Sequence, residues 1–249
     1  MIDIHTHILP GADDGASNIQ DTLEMVRMAA DIGVTAMVAT PHCNIPGGYS
    51  NYLGEEYKDR FRRAAEAVRQ AKIPVQILPG AEVFATYDLV RLIREGQILT
   101  LNGSRYLLIE FDFGEDPAFA DDVLEQVADI GIRPVIAHAE RYEFVQEIPQ
   151  IVYEWQKKGY FIQVNKGSVT GRFGHRAQLS AEWMLDEHLV SVIASDAHSP
   201  RRRTPYLLDA YEKLKRKYSR KYLQALFEEN PRRMCENKPV VRFRTKEDK

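Results

Sequence analysis

Two histidines separated by one residue lie near the start of the chain, in the segment MIDIHTHILPGADDGA. Alternate side chains of a β-strand share one face, so His5 and His7 point the same way if this segment is a strand. Two converging imidazoles suit a metal ion, and Asp13 and Asp14 follow in the same segment. A half-exposed edge strand could carry the same histidine pair, so the other ligand-type residues must decide between these interpretations.

The chain alternates between short apolar or β-branched runs and longer stretches with helical spacing. Strands are predicted at 2–7, 34–40, 75–79, 106–111, 134–137, 160–164 and 189–194. The first helix has Ser17 or Asn18 as its N-cap and ends at Gly33. This alternation implies right-handed βαβ units and a parallel sheet. The seven strands predict an α/β barrel closer to (β/α)7 than to the usual eight-fold form, with a doubly wound open sheet as the alternative.

Nine His, Asp and Glu residues fall at or just after the carboxyl ends of six of these seven strands. They are His5, His7, Asp14, His42, Glu82, Glu110, His138, Asp196 and His198. In parallel α/β barrels, active sites are built at that rim. A single histidine after a strand is more often structural than a ligand, but nine ligand-type side chains at one rim predict a metal site.

The number and type of these residues indicate which metals they would bind. Nine ligands exceed what one ion accepts while it keeps a position for water, so two or three ions are expected. Five imidazoles and four carboxylates without a thiolate favour Mn, Fe or Zn. Two or three such ions can lower the pKa of a bridging water and orient an in-line attack on a phosphoryl group.

The composition is that of an ordinary globular chain, with 249 residues, 44% hydrophobic residues and a net charge of −3. We assign 1–249 to one domain with a basic C-terminal helical tail, whose run KLKRKYSRK at 213–221 is interpreted as a solvated helix face. The charge argues against a general nucleic-acid binder, and no apolar run has the length of a membrane span. With no export leader and only two cysteines, a cytoplasmic location is expected.

The segments DIHTHILPGADDG, TPH, GAE, HAERY and SDAH occur in this order along the chain. Together they closely resemble the motif set of the polymerase-and-histidinol-phosphatase (PHP) superfamily. Over residues 1–235 the chain is similar to the tyrosine-protein phosphatases of Gram-positive capsule and exopolysaccharide operons. The resemblance implies a distorted (β/α)7 barrel with three divalent ions, usually Mn, that hydrolyses phosphotyrosine by a metal-bridging hydroxide. The implied substrate is the phosphorylated tail of a bacterial tyrosine kinase, through which polysaccharide export is regulated.

The resemblance also implies a role for each candidate residue. The first ion would take His5, His7, Glu82 and Asp196, the second Glu82, Glu110 and His138, and the third Asp14, His42 and His198. Asp13 is left as a structural residue. Two arginines would bind the phosphate, namely Arg141 in HAERY and Arg203 after SDAHSPRR, with Arg201 and Arg202 as alternatives to the second. For Arg141 the alternative is a surface salt bridge with Glu140 or Glu143.

Other details bear on the reaction. A cysteine nucleophile is disfavoured because Tyr49 and Val241, rather than arginines, stand six positions after Cys43 and Cys235.

The two histidines left over, at positions 175 and 188, offer no clear general acid. This fits an aryl phosphate better than an alkyl one, because phenolate is the easier leaving group. The loop CNIPGGYSNYL suits either a wall or lid over the site or an ordinary surface loop.

Three alternative functions stay open at this point. A small-molecule phosphoesterase, such as a histidinol-phosphate phosphatase on the same fold, is the main one. An amidohydrolase-type enzyme also carries His-x-His on its first strand, but glutamates stand here where its carbamylated form needs a lysine. A degenerate barrel used as a binding module is expected to have lost ligands, and none is lost here.

Overall fold

The structure is a computed structural model that describes residues 1–245. Its strands are β1 (Ile2–Thr6), β2 (Ala36–Ala39), β3 (His42–Cys43), β4 (Gln76–Pro79), β5 (Glu82–Phe84), β6 (Tyr106–Glu110), β7 (Arg133–Ile136), β8 (Phe161–Asn165) and β9 (Val192–Ala194). Every pairing between these strands is parallel. Each of the seven predicted runs contains a strand, so the prediction of an α/β fold with a parallel sheet is confirmed.

The strands form one sheet in the order β1-β2-β4 and another in the order β3-β5-β6-β7-β8-β9. The two short strands β3 and β5 continue the lines of β2 and β4 after Pro41 and Gly80, and Pro41 has no N–H with which to continue the ladder. Thr6 forms a bridge with Ala197, so the chain after β9 returns to β1. The result is a curled parallel sheet.

The short strands change the predicted position of two candidate ligands. His42 and Glu82 were expected in loops after their strands, but each is the first residue of a further strand, β3 and β5. His42 is the direct sheet partner of Glu82. The backbone ladder therefore fixes the position of these two side chains relative to each other.

Helices connect the strands. They are α1 (Ile19–Asp31), α2 (Glu55–Gln70), α3 (Leu89–Arg94), α4 (Pro117–Asp129), α5 (Glu143–Glu147), α6 (Ile151–Lys157), α7 (Lys166–Val169), α8 (His175–Asp186), α9 (Leu208–Leu214), α10 (Arg220–Gln224) and α11 (Asn230–Cys235). The predicted cap of α1 is confirmed at Asn18, whose side chain accepts hydrogen bonds from the N–H groups of Gln20 and Asp21. Within residues 1–245, none of the helices combines the length and apolar character that a membrane span requires.

The basic run at 213–221 differs from the continuous helix that was predicted. Helix α9 ends at Leu214 and α10 begins at Arg220, so a turn interrupts the run. Lys213 Nζ donates to the carbonyl of Val169 at 2.7 Å, and Lys217 Nζ lies 2.6 Å from an oxygen of Asp186. These contacts tie the basic side chains to the rest of the protein.

An irregularity in β1 places its histidines on the inner face of the sheet. Ile2 and Ile4 pack in an apolar cluster with Leu108 of β6 on the inner face of the sheet. Side chains alternate between the two faces along β6, so Glu110 lies on the same face as Leu108. The register of β1 against β2 shifts between Asp3 and Thr6. This one-residue shift moves His5 and His7 to the face already occupied by Ile2 and Ile4, as bulges next to functional sites commonly do.

Candidate metal centre

Glu82 lies at the middle of the candidate ligands. Its Oε2 atom is 3.0 Å from His5 Nε2, 3.2 Å from His7 Nε2 and 3.1 Å from His42 Nδ1. Its other oxygen, Oε1, is 2.9 Å from His138 Nε2. One buried carboxylate thus contacts four histidines that come from three different regions of the chain.

The first group of ligand atoms contains His5, His7 and Asp196, all of them buried. The Nε2 atoms of the two histidines are 3.3 Å apart, and each is 3.5 Å from Asp196 Oδ1. Together with Glu82 Oε2, these atoms form a cage of two nitrogens and two carboxylate oxygens.

A chain of hydrogen bonds determines which nitrogen of His5 carries the proton. Asn165 Nδ2 donates to Asp196 Oδ2 at 2.6 Å, and Gln163 Nε2 donates to Asn165 Oδ1 at 2.8 Å. Gln163 Oε1 therefore accepts, and it lies 2.9 Å from both the backbone nitrogen of His138 and Nδ1 of His5. Because His5 Nδ1 must donate to this oxygen, the lone pair of its Nε2 points into the cage.

Asp13 determines the proton position of His7 in the same way. Its Oδ2 atom lies 2.7 Å from His7 Nδ1 and accepts from the backbone N–H of His42 at 2.9 Å. Its Oδ1 atom accepts from the N–H of Gly15 at 2.9 Å. A Cβ atom at Gly15 would lie 2.2 Å from the carbonyl oxygen of His7, so only glycine permits this turn. The lone pair of His7 Nε2 also faces the cage.

This arrangement suits a cation. Glu82 Oε2, Asp196 Oδ1 and His198 Nε2 are buried and have no hydrogen-bond partner among the described residues. Buried polar atoms without partners are costly unless an ion or water satisfies them. Burial lowers the pKa of His7, but the nearby carboxylates of Asp13, Asp196 and Glu82 raise it well above its ordinary value. The cage therefore attracts positive charge, as a proton or as a metal ion.

Two further groups of ligand atoms adjoin the cage. One contains His7, Asp14, His42 and His198, and the other contains His42, Glu82 and Glu110. Asp14 Oδ1 is 3.5 Å from His198 Nε2 and 3.6 Å from His42 Nε2, and the Asp14 side chain is 55% exposed. His42 Nδ1 is 2.8 Å from Glu110 Oε1. His42 thus lies between two groups, whereas the resemblance implied that it belongs to one ion.

Two arginines lie against the outer oxygen of Asp196. Arg203 Nη2 is 2.5 Å and Arg141 Nη1 is 3.8 Å from Asp196 Oδ2. The adjacent Arg201 and Arg202 are exposed. Asp196 thus presents one oxygen to the histidines and the other to the arginines.

Strained backbone accompanies this arrangement. His138, Asp196 and Arg203 have φ angles of 34°, 51° and 50°, in the left-handed region that residues other than glycine rarely adopt. The backbone N–H of His198 donates to the carbonyl of Arg203 at 2.9 Å, which closes the loop that carries both. Strain of this kind persists where the surrounding structure fixes it, and it clusters at functional sites.

Comparison with known proteins places the chain in a family. A family model described as capsular polysaccharide synthesis, CpsB/CapC, matches residues 1–236. The chain belongs to this CpsB/CapC family. The resemblance to the phosphatases of capsule operons is therefore confirmed.

Several relatives of this family member carry a functional name. The tyrosine-protein phosphatase YwqE of Bacillus subtilis is 33% identical over 246 residues, which are 97% of this chain and 94% of the relative. The tyrosine-protein phosphatase CpsB of Streptococcus pneumoniae is 32% identical over 239 residues, 94% of this chain and 98% of the relative. CpsB of Streptococcus agalactiae is 31% identical over 242 residues, with 95% and 99% covered.

A solved structure agrees with this family membership. A crystal structure from a study of B. subtilis YwqE and S. pneumoniae CpsB, described as unique metal-dependent tyrosine phosphatases, matches with a TM-score of 0.91. It is 32% identical, and the match covers 98% of both chains. The lactonase Lmo2620 from Listeria monocytogenes shares the fold alone, with a TM-score of 0.54 at 15% identity over 96% of this chain and 95% of the lactonase.

Three residues of the CpsB/CapC chain that support the cage were missed as functional residues in the sequence. Asp13 was expected to be structural, and Gln163 and Asn165 were not singled out. The last two alternate on β8, the one predicted strand without a candidate ligand, and both are buried. The period-two argument that drew attention to His5 and His7 applies equally to them. Polar residues that alternate within an otherwise apolar strand were the available signal.

Other expectations are resolved by contacts. Arg141 Nη1 lies 3.8 Å from Asp196 Oδ2. Its alternative partner Glu140 points elsewhere, because that carboxylate is buried and accepts from Ser168 Oγ at 2.6 Å. Cys43 lies in β3 rather than in a loop, and burial raises the pKa of its thiol to about 12. A thiolate nucleophile is therefore disfavoured on structural grounds as well.

The loop after Cys43 packs beside the candidate ligands. Asn51 Nδ2 donates to the carbonyls of Ala12 and His42 at 2.9 and 2.8 Å. The ring of Tyr49 is parallel to that of His42, with their centres 6.2 Å apart. These contacts anchor the loop to the segments that carry Asp14 and His42.

Proposed function

We propose that this CpsB/CapC family protein is a metal-dependent phosphatase that hydrolyses phosphotyrosine in proteins and thereby takes part in capsule or exopolysaccharide synthesis. Support comes from identity of 31–33% over nearly the whole chain to three relatives named tyrosine-protein phosphatases. The observation that carries the proposal is the double role of Asp196. Its Oδ1 atom faces His5 and His7 at 3.5 Å, and its Oδ2 atom contacts Arg203 at 2.5 Å. In this proposal, a metal site and a phosphate site share one carboxylate.

The cofactor we propose is a set of three divalent ions, with Mn as the first choice and Fe or Zn as the others. The proposed partition assigns His5, His7, Glu82 and Asp196 to one ion, Glu82, Glu110 and His138 to a second, and Asp14, His42 and His198 to a third. The donor atoms of these residues are all nitrogen or oxygen, which supports the choice of these metals. When bound, such ions supply Lewis acidity and lower the pKa of a coordinated water toward neutrality.

The arginines bind and orient the phosphoryl group in this proposal. A guanidinium presents paired N–H donors that match phosphate oxygens, and it stabilises negative charge as this develops in the transition state. Arg141 and Arg203 both lie at the Asp196 oxygen that faces away from the histidines. They would therefore hold the phosphoryl group against the metal site and exclude water from its outer side.

The leaving group is a phenol in the proposed substrate. Its pKa is about 10, so phenolate departs with less help from a general acid than an alkoxide does. His175 is exposed at the first turn of α8, and His188 Nδ1 lies 3.1 Å from the carbonyl oxygen of Arg244. Neither histidine has a recorded contact with the candidate ligands among the described residues, which supports an aryl phosphate over an alkyl one.

Further parts of the proposal concern architecture and partner. We assign the chain to one domain with a distorted (β/α)7 barrel, counting β2 with β3 and β4 with β5 as single strands interrupted at Pro41 and Gly80. The bridge from Thr6 to Ala197 supports closure of this barrel.

The proposed substrate is the phosphorylated tail of a bacterial tyrosine kinase, which the protein would meet in the cytoplasm. Two free, buried cysteines suit that reducing compartment.

Metal analysis of the purified protein together with a phosphatase assay tests the proposal. Chelation should abolish hydrolysis of a phosphotyrosine peptide, and Mn should restore it better than other divalent ions. Full activity after exhaustive chelation, with the metal shown to be absent, would contradict the metal dependence. A parallel assay with histidinol phosphate tests the small-molecule alternative, and a higher kcat/KM for that substrate would favour it.

A further inference from the structure

One aromatic ring contacts both arginines of the candidate site. The ring centre of Phe173 is 4.5 Å from Cζ of Arg141 and 5.6 Å from Cζ of Arg203. These residues follow three different strands, since Arg141 comes after β7, Phe173 after β8 and Arg203 after β9. A guanidinium within about 6 Å of an aromatic ring centre is attracted by the electrons of the ring.

The position of Phe173 depends on a glycine in α7. A Cβ atom at Gly167 would lie 2.5 Å from Cε2 of the Phe173 ring, well inside contact distance. The N–H of Arg172 donates to the carbonyl of Gly167 at 2.7 Å, which turns the chain so that the ring packs on the glycine. Any larger residue at 167 would displace the ring from its present position.

The segment that carries this ring is attached to both arginine-bearing segments. Ser168 Oγ donates to Oε1 of the buried Glu140, the residue directly before Arg141, at 2.6 Å. On the other side, Lys166 Nζ donates to the carbonyl of Tyr206 at 2.9 Å, three residues after Arg203. The ring, its glycine and the two arginines are therefore parts of one connected unit.

We infer that Phe173, packed on Gly167, is a positioning residue that holds Arg141 and Arg203 together for the recognition of a phosphoryl group. The inference rests on the proposed function, in which both arginines bind phosphate. Two guanidinium groups repel each other, and each long side chain loses rotamer entropy when it is fixed. A ring that attracts both groups offsets part of this cost before the substrate arrives.

Phe113 provides an internal comparison. Its ring centre is 4.3 Å from Cζ of Arg141, but among the described residues it has no recorded contact with Arg203. Its side chain is 42% exposed. A Phe113→Leu substitution should therefore affect Arg141 alone, whereas Phe173→Leu should affect both arginines.

The experiment compares Phe113→Leu with four further variants of the full metal-loaded chain, and it repeats Phe173→Leu in a chain that lacks both arginines. Phe173→Leu removes the aromatic ring, Phe173→Tyr keeps it, and Gly167→Ala displaces it. Gly54→Ala is the matched control, because a Cβ atom there would meet nothing closer than 3.8 Å. Each variant is measured for metal content, for the kcat and KM of phosphotyrosine-peptide hydrolysis and for the Kd of inorganic phosphate.

We expect Phe173→Leu and Gly167→Ala to lower kcat/KM and weaken phosphate binding by on the order of tenfold, the size of one cation–π contact. Metal content should be unchanged, and Phe173→Tyr and Gly54→Ala should resemble the unsubstituted protein. In an Arg141→Ala/Arg203→Ala background, Phe173→Leu should have almost no further effect on phosphate binding, because the groups on which it acts are gone.

Two results would overturn the inference. One is an unchanged phosphate Kd in Phe173→Leu, and the other is an equal loss with and without the two arginines. Phosphate binding separates these results from a failure of the proposed function. If the protein binds Mn and phosphate but does not hydrolyse phosphotyrosine, the function is wrong while the role of Phe173 is still measured.

Discussion

Asp13 holds His7 through a 2.7 Å contact between the Oδ2 atom of the aspartate and Nδ1 of the imidazole. The same oxygen accepts the backbone N–H of His42 at 2.9 Å. One buried carboxylate therefore orients the ring of one candidate ligand and the backbone of another, without itself facing the cage. Its neighbour Asp14 does the opposite, since its carboxylate lies beside the rings of His42 and His198.

The first prediction concerns this pair of roles. Asp13→Ala should weaken metal affinity by roughly 10- to 100-fold, because the orientation and basicity of His7 depend on the lost acceptor. Glu82→Ala should lose more metal and more activity, since Glu82 contacts four histidines. Metal titration of each variant checks this order. Asp112→Ala is the matched control, because Asp112 accepts the N–H of Gly114 just as Asp13 accepts that of Gly15. An inactive Asp13→Ala beside a fully active Asp14→Ala would reverse the assignment.

The second prediction concerns the choice among three consecutive arginines. Arg203→Ala should cost about 2–4 kcal/mol of transition-state stabilisation, by analogy with the loss of an oxyanion-hole donor. Arg202→Ala should cost little, because Arg202 is exposed and Arg203 alone of the three contacts Asp196 in the described structure. The kcat/KM for a phosphotyrosine peptide is the measurement, with metal content as the check that no ligand was lost. A normal rate for Arg203→Ala would transfer the role to Arg201 or Arg202.

The third prediction concerns pH. Burial alone would lower the pKa of His42. The Glu82 and Glu110 carboxylates have the larger, opposite effect, and the pKa rises to about 9. The metal-free protein therefore gains stability from protonated His42 at low pH and loses it as the pH rises from about 6.5 to about 9. Metal must displace this proton, so the apparent affinity for Mn should increase over the same range. Across this range the thermal stability of the chelated protein should fall with pH, whereas that of the Mn-loaded protein should stay nearly level, and parallel slopes would contradict the competition.

The fourth prediction concerns the thiols. Burial raises the pKa of both Cys43 and Cys235 to about 12, so neither is a thiolate near neutral pH. Iodoacetamide should therefore leave the activity of the folded protein intact and should label both cysteines only after unfolding. Cys43→Ala should also keep its activity. Rapid inactivation of the folded protein by alkylation at Cys43 would reopen the cysteine route.

Much of this site could be predicted from the positions of its residues at the carboxyl ends of the predicted strands. Parallel strands bring their carboxyl ends to one rim, so the strand-end positions sufficed to predict that His5 lies near Asp196 and Glu110 near His138. The same argument could not predict that Glu82 lies at the middle, because that depends on β5 continuing past Gly80 in register with β3. It is a consequence of pairing between distant segments rather than of local pattern.

The arginines show the same limit of prediction from sequence even more clearly. The run of three at 201–203 offers equal side chains at consecutive positions, and no periodicity distinguishes them. What distinguishes Arg203 is a left-handed backbone with a φ of 50°, which leaves its side chain at Asp196 while Arg201 and Arg202 are exposed. A backbone conformation imposed by the closing of the loop on His198 was not visible in residue types alone.

The seam between β1 and β9 is held by little backbone pairing. Among the described residues, the bridge between Thr6 and Ala197 includes the hydrogen bond from His7 N to the Ala197 carbonyl at 2.8 Å, and Asp196 N donates to the His5 carbonyl at 2.9 Å. His5 and Asp196, which flank this seam, are also members of the cage. An ion bound there would act as a cross-link between the two ends of the sheet. Amide exchange at His7 and Asp196 would then report metal occupancy from the backbone itself, slowing when the cage is filled and accelerating when it is emptied.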